Sequence, residues 1–243
     1  MSVRDPCPQG ADDETSPALL EAAALDRASK HRDAIAVLSR AAMAGDLLAR
    51  RKVGLRILLG DRAPRMGEQG VRLITEAGMQ GDAKAAELSA VLVAAGIYCA
   101  QSWDRALDWL QLAAELGSAR AQGALGVLCA DPELGAEIGS SGPDRADLWR
   151  RLRADVDIAA LLGVPASRML HADPLIRAYE GFADARSCAW LIARARGRLS
   201  PALVYNPEAQ CLEHRPERTN TSAGFTLESV DLVHIVLDRR AHV

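Results

Sequence analysis

Apolar positions between residues 33 and 130 recur at a constant offset of 36 residues. At this offset the equivalent positions are Ile35, Val71 and Leu107; Leu38, Ile74 and Leu110; Ala41, Ala77 and Ala113; and Gly45, Gly81 and Gly117. No gap is needed to align them. Agreement in both residue type and place at a fixed period is typical of a solenoid, in which each unit buries its apolar face against the next. We therefore predict a solenoid of three units.

Each unit is predicted to be a hairpin of two helices. In the first unit, positions 35, 38, 41 and 42 have helical spacing, and Gly45 then stands where a left-handed residue ends a helix. Asp46 follows as the N-cap of the second helix, a place that Asp82 and Ser118 take in the later units. Small residues in the second helices let neighbouring helices approach closely; these are Ala49, Gly54, Ala85, Ala90, Ala121 and Gly126.

Two stretches resemble a known repeat motif. The segments LAAELGSARAQGALG (Leu112–Gly126) and EAGMQGDAKAAE (Glu76–Glu87) are similar to Sel-one-like repeats, which are relatives of the tetratricopeptide repeat. The family consists mostly of adaptors, so the resemblance implies a protein or peptide partner on the solenoid surface. Residues Pro17–Ser29 fit the second helix of a degenerate leading unit, and we therefore assign residues 17–130 to the solenoid.

Residues 131–170 are predicted to be a linker followed by a capping helix. The repeat register is lost in the Gly-, Ser- and Pro-rich text of residues 131–143, and an apolar stripe over Asp144–Gly163 then predicts a helix covering the open solenoid end. Its basic residues are Arg145, Arg150, Arg151 and Arg153. They allow two interpretations, a nucleic-acid patch or a solvated helix face interleaved with aspartates, and we favour the second.

Residues 171–243 are predicted to form a small, incomplete α+β module, which makes the whole chain mostly α. Strands are predicted at Pro174–Phe182 and Ala202–Tyr205, and helices at Ser187–Arg198 and Leu227–His242.

This order resembles the opening of bacterial prolyl 4-hydroxylase-like oxygenases. The resemblance is carried by Phe182, by Cys188, by the R-L-x-P-A-x-V text of Arg198–Val204, and by Arg218, Thr219 and Asn220. Enzymes of this family use Fe(II) and 2-oxoglutarate, and they hold the metal through an H-x-D motif and a distant His. By resemblance those ligands would come after the helix at Leu227–His242, so we expect this chain to bind neither cofactor.

The resemblance leaves two functional interpretations. In the first, the chain is an adaptor with a truncated, non-catalytic oxygenase-like segment. In the second, it is an oxygenase whose catalytic remainder lies outside this chain. We assign no catalytic or metal-binding residue. The candidates for a substrate-contacting loop are Tyr205, Arg218, Thr219 and Asn220, for which a hydrogen-bonded polar turn is an equally good interpretation.

One H-x-D motif does occur, at His171 and Asp173. A distal ligand would have to come from His214, His234 or His242. Pro174 disfavours a helical conformation for Asp173 and favours a turn, so we interpret the motif as a linker and not as a metal site. Cys188 is predicted to be a buried small hydrophobe.

Charge and composition narrow the classes of partner. The net charge is −3, with 29 basic and 32 acidic residues, so no overall field would attract nucleic acid or an anionic membrane. Residues 1–16 lack the basic start and apolar run of a signal peptide and are predicted to be a disordered tail. Five widely spaced cysteines indicate a reducing compartment, and we expect a cytoplasmic location.

Overall fold

The computed structural model describes residues 15–139 and 145–242. In these residues the chain forms twelve α-helices and six short β-strands. The helices are α1 (Pro17–Arg27), α2 (His31–Met43), α3 (Leu47–Leu59), α4 (Gly67–Met79), α5 (Ala83–Ala95), α6 (Trp103–Glu115), α7 (Ala119–Leu128), α8 (Pro132–Ala136), α9 (Arg145–Ala154), α10 (Ile158–Leu162), α11 (Ala185–Ala195) and α12 (Leu232–Ala241). The strands are β1 (Ser167–His171), β2 (Ile176–Tyr179), β3 (Ser200–Pro201), β4 (Val204–Asn206), β5 (Cys211–Glu213) and β6 (Thr221–Ser222).

The solenoid prediction is confirmed, with α2/α3, α4/α5 and α6/α7 as its three hairpins and α1 before them. Gly45, Gly81 and Gly117 have φ angles of 99°, 110° and 92°, so all three turns use the left-handed conformation that only glycine adopts without strain. The predicted N-caps are also confirmed. The Asp46 carboxylate accepts from the Ala49 amide at 2.9 Å, and Asp82 and Ser118 make the equivalent bonds in α5 and α7.

The core runs along the solenoid in three apolar clusters. One lies among α1, α2 and α3, a second among α3, α4 and α5, and the largest among α5, α6 and α7. The largest cluster also contains Leu148, Trp149 and Leu152 of α9, which pack on α6 and α7 at the end of the solenoid. None of the helices in residues 15–139 and 145–242 has the length and apolarity needed to cross a membrane.

The single helix predicted over Asp144–Gly163 is wrong. The chain forms α9 and α10 instead, because Asp157 caps a new helix by accepting from the Ala160 amide at 3.0 Å. Residue 144 lies outside the described residues. So do residues 1–14 of the predicted tail, whereas Ser16 caps α1.

The C-terminal strands form three separate antiparallel pairs, β1–β2, β3–β6 and β4–β5. The strand predicted at Pro174–Phe182 is shorter in the structure, where β2 spans Ile176–Tyr179. It is shorter because Pro174 lies in the turn that joins β1 to β2. The strand predicted at Ala202–Tyr205 is wrong in its bounds, because Ala202 and Leu203 follow β3 outside any strand and only Val204 and Tyr205 belong to a strand, β4.

The C-terminal helices begin at aspartate caps that the sequence prediction did not use. Asp184 accepts from the Ser187 amide at 2.7 Å and starts α11 two residues before the predicted Ser187. Asp231 starts α12 at Leu232, five residues after the predicted Leu227. Cys188 is exposed, so its predicted burial is also wrong. The division of the chain at residues 16, 130 and 170 stays a prediction.

Candidate functional site

Three repeat-equivalent residues of the second helices carry different chemistry. Arg51 of α3, Glu87 of α5 and Gly123 of α7 are related by the offset of 36 residues. Arg51 and Glu87 are buried, with 4% and 6% of their surfaces exposed. We call the side of α3, α5 and α7 that bears these three residues the inner face. Because these equivalent positions hold a base, an acid and a glycine, the chemistry of the inner face changes from one unit to the next.

Ion pairs link successive units along the inner face. The Nε of Arg51 donates to a carboxylate oxygen of Asp82 at 2.8 Å, and the other oxygen of Asp82 caps α5. In the next unit the guanidinium of Arg120 donates to both carboxylate oxygens of Glu87, at 2.5 and 2.9 Å. Each buried charge therefore has a partner, which offsets the cost of removing it from water.

Residues 225–242, which we call the C-terminal segment, lie on the inner face. Leu227 packs against the apolar cluster that includes Leu55 and Leu88. One carboxylate oxygen of Glu228 lies 2.6 Å from the Lys52 ammonium and 3.9 Å from the Arg51 guanidinium. The main-chain oxygen of Glu228 accepts from Arg120 at 2.9 Å. The solenoid thus binds the segment through an apolar side chain, a carboxylate and a main-chain carbonyl.

Asp231 joins the C-terminal segment to α11. This residue is 3% exposed, and its carboxylate accepts from the indole nitrogen of Trp190 at 2.9 Å and lies 2.7 Å from Nδ1 of His234. The Nε of Arg194 lies 3.3 Å away in an ion pair. Burial raises the pKa of Asp231, but the hydrogen bonds from His234 and Trp190 and the charge of Arg194 outweigh it, so the pKa lies below its ordinary value. Asp231 is therefore a buried carboxylate that favours its charged form.

Helix α12 closes the inner face of α5. Leu232, Val233 and Val236 are at most 3% exposed and belong to the apolar cluster of α5, α6 and α7. At the far end of the helix, Arg239 donates to the main-chain oxygen of Ala95, the last residue of α5. Together with the packing of α4 and α6 on α5, this contact buries every residue from 85 to 94.

The residues predicted to form a substrate loop fall into two groups. Arg218 donates to the Asn220 side chain at 3.1 Å, and the Asn220 main-chain oxygen accepts from Ala202 at 3.0 Å beside β3. Thr219 lies between them and is exposed. Tyr205 is 59% exposed and pairs with Leu212 in the β4–β5 hairpin. Whether any of the four contacts a substrate stays a prediction.

The H-x-D residues lie at the turn of the β1–β2 hairpin, as the turn prediction requires. Nδ1 of His171 is 3.2 Å from the Pro174 main-chain oxygen, and Asp173 is in the turn. His234, one of the three possible distal ligands, is instead bonded to Asp231 in α12. Within residues 15–139 and 145–242, no three His, Cys, Asp or Glu side chains are grouped so that they could hold a metal ion.

Sequence reasoning missed the contact between the inner face and the C-terminal segment. A signal for it was present in the α5 text, AKAAELSAVLVAA, which is apolar on all sides and not on one stripe. A helix with that pattern is buried all round. In a solenoid open on one side, such a helix requires an additional cover, and α12 supplies it.

Solved structures similar to the chain include the following two. One is a Sel1 repeat protein from Oxalobacter formigenes, with 21% identity and a TM-score of 0.42. The other is c5321, a protective antigen present in uropathogenic Escherichia coli strains displaying an SLR fold, with 20% identity and a TM-score of 0.42. The matches cover 60% and 59% of this chain, and 60% and 31% of those proteins. No family model matches the chain, and no curated protein is similar to it.

Proposed function

We propose that this chain is a protein-binding adaptor whose inner face recognises a polypeptide segment. The observation that carries the proposal is the grip on Glu228. Lys52 holds its carboxylate at 2.6 Å, and Arg120 holds its main-chain oxygen at 2.9 Å. Main-chain contacts provide affinity for any peptide and side-chain contacts provide specificity, so this combination is typical of a peptide-recognition surface.

The experiment that tests the proposal is affinity capture from cells followed by measurement with purified proteins. We expect a captured partner whose affinity for the Glu228→Ala chain, in which the chain's own carboxylate no longer competes for Lys52, falls about 10-fold or more when Lys52→Glu is added, because a half-buried charge contact is reversed. The matched control is Arg72→Glu on α4. The Arg72 side chain is 68% exposed and lies 4.0 Å from Glu76 of the same helix. Equal sensitivity to both variants, or no partner, would refute an inner-face adaptor.

We also propose that nucleic acid is not the partner. The α9 arginines described in the structure are paired with acidic residues: Arg150 with Asp147 at 3.4 Å, Arg151 with Glu137 at 3.0 Å, and Arg153 with Asp108 at 2.9 Å. Arginines neutralised in this way offer little to phosphate. A cytoplasmic location stays a prediction from the cysteine pattern.

For residues 171–243 we propose a non-catalytic role. The resemblance to an oxygenase opening stays a prediction, and its test is an anaerobic titration of the chain with Fe(II) and 2-oxoglutarate. We expect no saturable charge-transfer band. A band that disappears in His171→Ala and Asp173→Ala would contradict the non-catalytic role and favour the oxygenase interpretation.

A further inference from the structure

The C-terminal segment is held on the inner face as a ligand peptide would be. Residues 225–231 cross the second helices without forming a helix or strand, and α12 then lies on α5 and α7. A helix that lays its apolar side chains in a groove is a recurring form of peptide recognition, and in this chain an apolar anchor and a charged neighbour come before α12. Here the anchor is Leu227 and the charged neighbour is Glu228.

The three equivalent inner-face residues each match a different part of the C-terminal half. Arg51 lies 3.9 Å from the Glu228 carboxylate. Glu87 orients Arg120, which binds the Glu228 main chain. Gly123 leaves space for Trp190, which in turn holds Asp231. Different residues at one repeat position thus serve different contacts with the C-terminal half.

The contacts differ in how readily they can exchange. The Glu228 and Lys52 side chains are 46% and 34% exposed, so their ion pair is open to solvent and to competing charges. Leu232, Val233 and Val236 are buried and hold α12 on the solenoid. Residues 214–222, which precede the segment, are exposed, and only Thr221 and Ser222 among them belong to a strand. A tether of this kind can keep a released segment close to the face.

We propose that the C-terminal segment is an intramolecular ligand, and that the partner of the inner face is a peptide of the same chemistry. That chemistry is a Leu-Glu pair followed by an Asp-capped helix with an apolar face. This inference rests on the proposed function and adds the partner's chemistry and a means of control. A tethered segment has an effective concentration in the millimolar range, so a partner must compete with the chain's own residues.

The test uses the full chain with a protease recognition sequence inserted between Ala223 and Gly224. Gly224 is exposed, and a Cβ there would meet nothing within 4 Å, so the insertion site is open. After cleavage the segment remains bound but is no longer tethered. A fluorescent peptide of residues 224–243 is then added and its anisotropy measured. We expect saturable binding to the cut chain, and binding to the uncut chain that is at least about 10-fold weaker because of the tether.

Charge reversal tests whether the ion pair between Glu228 and Lys52 contributes to binding. The peptide with Glu228→Lys should bind the cut chain about 10-fold more weakly, and Lys52→Glu in the cut chain should restore it. Failure of the wild-type peptide to exchange under native conditions would overturn the inference, because the segment would then be a permanent part of the core. Equal binding to cut and uncut chains would overturn it too.

The oligomeric state tests whether a second copy of this chain, and not a partner peptide, occupies the inner face. Light scattering of the uncut chain should give a monomer, and a dimer that dissociates when the peptide is added would overturn the inference in favour of a second copy of this chain. Failure of the inference and of the proposed function can be told apart. Peptide exchange without a captured partner refutes the proposed function, but the segment is then still an exchangeable intramolecular ligand. A captured partner sensitive to Lys52→Glu, without peptide exchange, refutes only the inference.

Discussion

Trp190 packs onto Gly123 so closely that a Cβ at Gly123 would stand 2.5 Å from the ring carbon Cζ3. The indole nitrogen of Trp190 at the same time donates to Asp231 at 2.9 Å. The absence of a side chain at Gly123 therefore lets α11 approach α7, and this approach positions the residue that caps α12. One small residue in the third unit is thus connected to the placement of the C-terminal segment.

The effect of Gly123→Ala on the free energy of unfolding should change sign when Trp190 is removed. In the wild-type chain the new methyl group must displace the indole, and overpacking of this kind costs about 1 to 3 kcal/mol, more than the helix gains. In Trp190→Ala the obstacle is gone, and the same change should stabilise the chain by up to about 1 kcal/mol. Denaturant unfolding of the four proteins measures both values.

Gly197→Ala is the control for that cycle, because a Cβ at Gly197 would meet nothing within 4 Å. Its effect should be the same with and without Trp190. If Gly123→Ala destabilised both backgrounds equally, the close packing of Trp190 on Gly123 would not be the cause.

Asp82→Ala should cost more than the repeat-equivalent Asp46→Ala. Both residues cap a helix at 2.9 Å, and loss of the cap costs about 1 kcal/mol in each. Asp82 also accepts from Arg51, whose side chain is 5% exposed. Its loss leaves a buried cation without that partner, and we expect about 2 kcal/mol more. Thermal or denaturant unfolding measures both losses. Equal losses of stability in the two variants would show that the contact between Asp82 and Arg51 is not the reason.

Asp231→Asn should lose stability in a manner that depends on pH. Burial raises the pKa of this carboxyl, whereas hydrogen bonds and the nearby charges lower it by more, so the folded-state pKa is depressed. The stabilisation is therefore present above the unfolded-state pKa of about 3.9 and is lost as the pH falls through the folded-state pKa. We expect wild type and variant to differ by about 2 kcal/mol at pH 7.

Below about pH 4 the two proteins should become more alike. Urea unfolding between pH 3 and pH 7 checks this, with Asp238→Asn as the control. Asp238 lies on the same helix with 61% of its side chain exposed, and it should change stability by less than about 0.5 kcal/mol. A difference for Asp231→Asn that does not vary with pH would contradict a role for its charge.

The repeat region could be predicted from the sequence because its structure is specified locally. Gly45 and Asp46 determine a turn and a helix start within two residues, and equivalent residues recur at the offset of 36 in the later units. The C-terminal half could not be predicted in this way. The partner of Glu228 is 176 residues away at Lys52, and no pattern near Glu228 identifies it.

The candidate site was predicted even less well than the fold. Tyr205 and Arg218 were chosen by resemblance, but Tyr205 lies in the β4–β5 pair and Arg218 lies in the loop before β6. Asp184 and Asp231, which start α11 and α12, are ordinary N-cap residues that local rules would have identified. The apolar text of α5 was the one available sign that the inner face is covered.

Hydrogen exchange should divide residues 167–242 into two classes. Within residues 15–139 and 145–242, no strand pairs with either outer edge of the β1–β2 hairpin. All residues of the hairpin except Ala178 are exposed, so its amides should exchange within seconds to minutes. The α12 amides should exchange at least about 100-fold more slowly, because Leu232, Val233 and Val236 are packed in the solenoid core. Mass spectrometry of peptides from the intact chain, with α5 as the protected reference, measures the difference. Equal strong protection would mean that the hairpin has a partner, and equally fast exchange would mean that α12 does not belong to the core.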